Sequence, residues 1–598
     1  MMRQTDVWPD LPLGNELART LARLHGELPL SVLQALQLLC AALSEGHVCL
    51  DLGAVAGARI GDVSLPKRDK WLAALAGHPA IGAPGQFKPL TLDAAGRLYL
   101  TRYWLYEQQL AKRLLALAAA PPQAVDAGQL RQMLQALFAG STQQPDWQQA
   151  AAACAVLQRL SVISGGPGTG KTSTVVRLLA ALQQMHQGRL VIRLAAPTGK
   201  AAARMSESIR AAKPGLQLAD EIAASIPESA STLHRLLGSK PDSASFRHHA
   251  GNPLALDVLV VDEASMIDLA LMAKLTDALP PHARLILLGD KDQLDSVEAG
   301  AVFGQLCALR GYRQPFATQM AAATGILLPV SEDASPVGSA VMLLQHSYRF
   351  DANSGIGELA RLANAGDGVA ALMLCRSGNF SDIQLQDARL AQYKVALLQR
   401  IEQGFGAYWQ AIRSGDAAAA FAAFGQFRLL AAHRDGEGGV HWLNSAIEQR
   451  WAQRGWLNQR APWYAGRPVM ISENDYGLGL FNGDIGLTLW QQGKLMVAFE
   501  GEGGTLRWFN PARLPRHDTA YAMTVHKSQG SEFATVALVL PDDKTPLLTR
   551  NLIYTGITRA KQKAEIWGPA NVLRQAVEDA PQRSSGLADR LQGCCGKE

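Results

Sequence analysis

Cysteine is scarce in this chain, and the little there is excludes two common frameworks. The seven cysteines of 598 residues lie far apart except for Cys594 and Cys595 at the tail. Neither a disulfide scaffold nor a zinc-binding spacing can be drawn from them. Reduced thiols, and with them the cytoplasm, are the expectation. A membrane span is missing too. The longest apolar stretch, 28–43, carries Gln34 and Gln37 at helical spacing, and the first ten residues lack the apolar core of a secretion signal. Charge is modest: 18% charged against 48% hydrophobic residues is the composition of an ordinary soluble globular protein. The net charge of +5 permits a polyanionic partner without demanding one, so a basic groove has to be local. One core does not suffice at this length, and roughly three to five domains are expected.

What is present centres on one stretch, SVISGGPGTGKTSTVVRLLAAL at 161–182. A short β-branched run meets a glycine-rich turn, and an apolar helical pattern follows at once. Gly165, Gly170, Lys171 and Thr172 fit G-x-x-x-x-G-K-[ST], the phosphate-binding loop, with Gly166, Pro167, Gly168 and Thr169 between them. Glycines let the backbone curl so that its N–H groups converge on phosphate oxygens at the positive end of the next helix. Lys171 then reaches the β and γ phosphates of a nucleotide such as ATP, and Thr172 a Mg²⁺ ion. Upstream, Gln148 stands on a helical pattern, and its amide suits both the donor and the acceptor edge of adenine.

About ninety residues beyond the loop, LDVLVVDEAS supplies a continuous apolar strand ending in Asp262 and Glu263. A buried parallel strand delivers both carboxylates to the edge where the phosphate loop lies. Asp262 suits Mg²⁺, and Glu263 the orientation and deprotonation of an attacking water. A further strand, RLILLGDKDQLDSV, ends in Asp290 and Gln293, whose neutral amide can sense a γ-phosphate. RLVIRLAAPTGKAAARM repeats the strand–turn–helix grammar, with Pro197 and Thr198 at the strand's carboxyl end. ASTLHRLLG offers Ser231, Thr232 and His234 for phosphate or base contact; in the plainer reading Ser231 caps a helix.

The surrounding segments carry less chemistry. Residues 1–125 read as mainly helical, with a β-hairpin formed by KPLTL and RLYLTRY around DAAG, then a helix that stops at Pro121 and Pro122. GSKPDSASFRHHAGNP reads as a projecting hairpin or a loop. The Pro, Gly and Ser content of 310–340 reads as an insertion, either a loop on a partner surface or local disorder. Within 466–516 the runs VMIS, IGLTLW, KLMVAFE and TLRWF are separated by NDYG, NGD, QQG and GEGG, which predicts a small β-barrel. Its Trp490, Phe499 and Trp508 either make the barrel's core or stack on bases.

In order, GGPGTGKTS, APTGKAAARM, STLHRLLG, VVDEASM and GDKDQLDSVE, then HSYRF, AMTVHKSQGSEF and YTGITRAK, resemble the successive motifs of superfamily 1 helicases. Within that superfamily (1B) the chain most resembles the RecD family, the exodeoxyribonuclease V alpha subunits of RecBCD helicase-nucleases. The motifs span 148–561, about two-thirds of the chain, and the ordered set is far more specific than any member.

The resemblance implies an α/β fold of two RecA-like P-loop NTPase domains with a small SH3-like β-barrel insert and a mainly helical N-terminal domain that contacts partners. Domain 1A would cover 126–345, with a 1B hairpin at 239–253 and an insertion at 310–340. Domain 2A would cover 346–465 and 517–598, and domain 2B 466–516. Arg349 and Arg559 would act as arginine fingers beside Lys171, Glu263 and Gln293. Glu532 would join Gln148 and the loop in binding ATP. The DNA backbone would be gripped by Pro197, Thr198, Thr232, His234, Thr524 and His526. Movement from 5′ to 3′ on single-stranded DNA, action at DNA ends, and partnership with RecB and RecC are implied likewise. No constellation of acids and lysine marks a nuclease here, and the resemblance places that activity in RecB. Two alternatives stand beside this reading. One is a stand-alone RecD2-like helicase, which usually carries a longer N-terminal extension with helix-hairpin-helix repeats; none is evident before residue 126. The other is a P-loop regulatory or scaffold subunit with little motor activity, against which the intact motif residues argue.

Overall fold

The computed structural model describes residues 11–60, 63–120, 125–140, 145–240, 243–350, 353–457, 461–475, 477–501 and 504–593. The first ten residues, Pro121, Pro122, Cys594 and Cys595 lie outside the described residues.

Two parallel sheets organise the molecule. The first has six strands in the order Val341–Leu344, Leu160–Gly165, Arg284–Gly289, Val258–Val261, Ile192–Ala196, Ala230–Thr232, all parallel. Its central strands are buried along their whole length because both faces are covered. Side chains alternate with the period of two that a strand imposes. Val162, Leu259, Val261 and Leu285 enter one core, and Ile163, Val258, Val260 and Ile286 the other. The second sheet runs Ile383–Gln386, Ala560–Trp567, Phe533–Val539, Phe427–Ala431, Ala522–Thr524, again parallel throughout. Leu430, Val536 and Leu538 face one side of it, while Leu429, Ala537 and Val539 face an aromatic-rich core that includes Trp409, Trp451 and Tyr521.

Inserted into the second domain is a five-stranded antiparallel sheet ordered Leu506–Phe509, Lys494–Glu500, Ile485–Gln491, Pro468–Ile471, His517–Thr519. The tight turn at QQG works because Gln492 and Gly493 both take positive φ, 50° and 75°, as a two-residue hairpin requires. Among the described residues the two edge strands do not pair with each other, so the expected barrel closure is not formed by backbone hydrogen bonds. Phe499 is core, Trp508 is half-buried and Trp490 is 63% exposed.

The N-terminal unit has its own core and a four-stranded sheet. The expected hairpin pairs Leu90–Leu92 with Arg97–Leu100, and Asp93 Oδ1 closes the turn by accepting the N–H groups of Ala95 (3.0 Å) and Arg97 (2.9 Å).

Three segments depart from the expected divisions. The helix Thr101–Ala119, grouped above with the N-terminal domain, buries Trp104, Leu110 and Leu114 in the first motor core beside Met272 and Leu275. The segment 310–340 is not a projecting loop: it contains the helix Gln314–Thr324, whose Phe316, Met320 and Ala323 enter the other core of the same domain. Residues 583–593, grouped above with domain 2A, cross back to the first domain. There the Ser335 hydroxyl donates to Leu591 O at 2.6 Å, Gly586 N–H donates to the buried Glu107 at 3.0 Å, and Leu587 and Leu591 join the core. Among the described residues of 239–253 there are antiparallel bridges Ser239–Phe246 and His249–Asn252. Among the described residues no helix is long and apolar enough to cross a membrane.

Candidate active site

The strand Leu160–Gly165 ends in a loop over 166–170 and then the helix Lys171–Met185. Gly168 and Gly170 take φ of 78° and 76°, a region L-residues avoid. The loop is also crowded. A Cβ at Gly168 would collide with Arg349 Cβ, and one at Gly170 with the Gln148 amide. Asp146 caps the helix Trp147–Leu157, and this sets Gln148 so that its Nε2 donates to Thr169 O at 2.9 Å. Gln148 therefore braces the loop that it borders. Tyr348, 58% exposed with its ring edge-on to His346 at 4.8 Å, lines a small pocket together with Gln148 and Thr169. Lys171 folds its ammonium onto the loop's own carbonyls, donating to Gly165 O and, at 3.3 Å, to Gly166 O.

Asp262 and Glu263 follow the strand Val258–Val261. Burial, then the like charge of Glu263, push the Asp262 carboxyl up to about 6, with Lys171 pulling the other way. Glu263 itself sits at φ 52°, a conformation rare for a residue with a side chain and typical of sites where geometry is constrained for function. The Thr172 hydroxyl and the Asp262 carboxylate are hard oxygen donors of the kind Mg²⁺ takes, together with phosphates and waters. Among the described residues no three His, Cys, Asp or Glu side chains gather to hold a metal by themselves. The donor set accordingly fits a cation that arrives with a nucleotide.

The connection after Val341–Leu344 and the second domain close over this loop. Tyr348 N–H donates to Gly168 O (2.8 Å) and the Ser347 hydroxyl to Pro167 O (3.1 Å), which clips the SYRF segment onto the loop's tip. Arg349 donates through Nη2 to Glu532 at 2.8 Å, and its buried Nη1 has no partner. Arg559 is buried; Nε donates to Thr555 O at 3.1 Å, Nη1 to Ser531 O at 3.4 Å, and Nη2 has no partner. Burial depresses its pKa, and the strongest opposing charge is Glu263, from the other domain. Glu532 sits among Arg204, Arg349 and Lys561. Burial opposes its ionisation, but Arg204 and then Arg349 outweigh burial and hold the carboxyl down at about 2. Gln293 donates from Nε2 to Asp290 Oδ2 at 3.0 Å, leaving its buried Oε1 without a partner. The structure thus brings Lys171, Glu263, Gln293, Arg349, Arg559 and Glu532 to one interdomain cleft.

The residues expected at the DNA face are placed differently. Thr198, Thr232 and Thr524 each accept a backbone N–H three residues on, from Ala201 (3.2 Å), Arg235 (3.2 Å) and Lys527 (3.3 Å). The helix cap in STLHRLLG is therefore Thr232 and not Ser231. A hydroxyl that accepts in a cap keeps its proton, so each threonine can still donate to a phosphate oxygen. Pro197 immediately precedes the Thr198 cap. His234 stands edge-on to Phe246 at 5.7 Å, and burial lowers the pKa of both His234 and His526, favouring their neutral forms.

Three residues of the cleft escaped the sequence reading. Arg204 lies inside APTGKAAARM, Tyr348 beside Arg349 in HSYRF, and Tyr554 inside YTGITRAK. Motif position alone did not disclose the Arg204–Glu532 bridge across the domains, nor the hydroxyl of Tyr554 donating to Asp290 at 2.9 Å.

Two parallel-sheet domains that meet at a cleft, a phosphate loop on one and arginines facing it from beyond that domain's sheet define a nucleotide-driven helicase-type motor. Family profiles agree: an AAA domain matches 148–299, a UvrD-like helicase C-terminal domain 519–566, and the N-terminal domain of the RecBCD enzyme subunit RecD 11–99. That last profile ends where the N-terminal core ends, before the helix Thr101–Ala119. The chain is 39% identical to the RecBCD enzyme subunit RecD of Mycolicibacterium smegmatis, covering 97% of each chain. It is 40% identical to that of Mycobacterium tuberculosis, covering 97% of this chain and 94% of the relative. The ATP-dependent RecD2 DNA helicase of Deinococcus radiodurans is 31% identical, covering 83% of this chain but 59% of the relative. The chain belongs to the RecD family: it is a DNA helicase subunit of the RecBCD type.

Proposed function

We propose that this chain is an ATP-driven motor that moves 5′ to 3′ on single-stranded DNA, within a complex containing RecB- and RecC-type partners that processes double-strand DNA ends. One observation carries the reading. Arg349 and Arg559 close on the phosphate-loop side of the first domain, each with a buried guanidinium nitrogen to spare, and Glu263 is the leading opposite charge on Arg559.

On ATP binding Lys171 exchanges its loop carbonyls for the β and γ phosphates, and the loop's N–H groups receive the remaining oxygens. Thr172 and Asp262 would hold Mg²⁺, which when bound neutralises charge on the β and γ phosphates. Glu263 orients the attacking water and takes one of its protons, while Gln293 senses the γ-phosphate through that water, whose second O–H its free amide oxygen accepts. The spare nitrogens of Arg349 and Arg559 donate to the γ-phosphoryl group as it leaves, a contribution of roughly a thousandfold or more. Glu532, held ionised, offers an acceptor to the nucleotide and ties the charge state of the cleft to Arg204 in the first domain. Hydrolysis removes the group on which both domains converge, so the cleft reopens. Thr198 and Thr232 on one domain and Thr524 on the other then grip the DNA backbone alternately. This binding is to phosphate, so it weakens with salt whatever the base sequence.

The test uses the full chain, wild type and Lys171→Gln, in DNA-stimulated ATP hydrolysis and in unwinding from a 5′ overhang. The proposal expects both activities in the wild type and neither in the variant. Equal activity of the two removes the motor, and hydrolysis without strand separation favours a regulatory subunit.

A further inference from the structure

Tyr554, on the helix Arg550–Ile557 of the second domain, is buried and ends against the phosphate loop of the first. A Cβ built on Gly166 would lie 2.8 Å from its hydroxyl, so the loop passes the phenol with no room for a side chain. The hydroxyl donates to Asp290 Oδ2 at 2.9 Å, the same oxygen that accepts Gln293 Nε2 at 3.0 Å. Asp290 is 1% and Gln293 4% exposed, so water does not substitute for these bonds. One N–H of the Gln293 amide is given to Asp290, which sets the amide's orientation and leaves its oxygen open as an acceptor. The backbone on either side is pinned from the same helix. Asn551 Nδ2 donates to Gln293 O at 3.0 Å, and Leu294 N–H donates to the Thr555 hydroxyl at 2.9 Å. Burial and the charges of Asp290 and Asp292 raise the Tyr554 pKa, so the phenol stays protonated and remains a donor.

We infer that Tyr554 is a positioning residue for ATP hydrolysis: when the second domain closes, its hydroxyl fixes Asp290, and Asp290 in turn fixes the Gln293 amide beside the phosphate loop. The inference rests on the ATPase reading given above. It makes Gln293 competent only while the domains are together, so the γ-phosphate sensor of one domain is set by a residue of the other. Asn551 and Thr555 hold the sensor's backbone but not its amide, and this separates docking from orientation.

The test compares Tyr554→Phe, Asp290→Asn, the double variant and Asn551→Ala in the full chain, in steady-state ATP hydrolysis with saturating single-stranded DNA. Tyr554→Phe keeps the ring, and Asp290→Asn reads the same bond from its other side. Each is expected to lower kcat about tenfold, the cost of one hydrogen bond to a buried charge in the transition state, with KM for ATP within about twofold. Because the two residues act in series, the double variant is expected to be no slower than the slower single one. Asn551→Ala is expected to keep kcat within about threefold. The inference is overturned if Tyr554→Phe turns over like wild type, if the two losses multiply, or if Asn551→Ala matches Tyr554→Phe, since general loosening of the domains then explains the effect. A wild-type chain without DNA-stimulated hydrolysis overturns the motor reading itself, and this inference with it.

Discussion

At the nucleotide cleft the candidate residues are mostly charged, buried or half-buried, and tied across the domains by the Arg204–Glu532 bridge, whereas on the proposed DNA face they include threonines whose partners sit three residues away in their own chain segment. Arg349 and Arg559 have buried nitrogens that nothing in the resting site satisfies; the hydroxyls of Thr198, Thr232 and Thr524 each accept one backbone N–H as turn or helix caps. Buried unmatched donors cost stability, and they persist where a ligand satisfies them. A capping hydroxyl repays its position locally and has one proton left to offer. The cleft is therefore built to be incomplete without its ligand. The proposed DNA face is complete without DNA and has capacity to spare, which fits the grip and release that the proposed cycle requires.

That contrast predicts unequal sensitivities. Arg559→Ala is expected to have the largest effect, about a thousandfold on the rate of hydrolysis with nucleotide affinity little changed, because its charge is needed chiefly in the transition state. Single-turnover hydrolysis and equilibrium nucleotide binding, measured side by side, check it; lost affinity at a normal rate would contradict it. Gly168→Ala comes next. Its φ of 78° and the Arg349 Cβ in its way force the SYRF clip off the loop. We expect a loss of about a hundredfold in kcat/KM for ATP, roughly 3 kcal/mol, while the melting temperature stays near that of wild type.

The DNA edge responds differently. Thr198→Asp keeps a good helix cap, so thermal stability is expected to hold. It places a negative charge beside phosphate, and affinity for single-stranded DNA is expected to fall about tenfold at low salt, with the deficit shrinking as salt rises. An unchanged affinity in a titration would take Thr198 off the DNA path. Smallest is the acid limb of Glu532. Its folded pKa of about 2 lies below the ordinary 4.5, so its stabilising contribution is present above about pH 4.5 and is lost as the pH falls toward 2. Glu532→Gln is expected to flatten the rise of stability with pH over that window in urea unfolding. A slope equal to that of wild type would mean that the Arg204 and Arg349 pairs contribute nothing measurable.

How much of this could be read from the residues follows the same division. The phosphate loop and both acids were legible because strand, turn and helix are adjacent in sequence and each leaves its own periodicity. The antiparallel insert was legible from its turns, except for the short strand His517–Thr519, whose residues have no alternation to betray them. The helix Gln314–Thr324 is hidden in the sequence because its Pro315 and Gly325 are also residues of loops. They are its boundaries, a proline in the first turn and a left-handed glycine at the C-cap. The helix Thr101–Ala119 was recognised as a helix, but its amphipathic face does not say which domain it covers. The return of 583–593 to the first domain depends on Glu107, nearly five hundred residues upstream of Gly586. Tyr554 shows the limit most clearly, since its partners Asp290 and Gly166 lie in different motifs and only folding brings the three together.

The central claim, that the nucleotide draws the two domains together and its hydrolysis lets them part, is tested most directly by a distance. Labels at Gln217 on the first domain and Val395 on the second, both exposed, report the separation in the full chain on single-stranded DNA without nucleotide, with a non-hydrolysable ATP analogue and with ADP. The account predicts a single short distance with the analogue and a broader, longer distribution in the other two states. The same distribution in all three would contradict it.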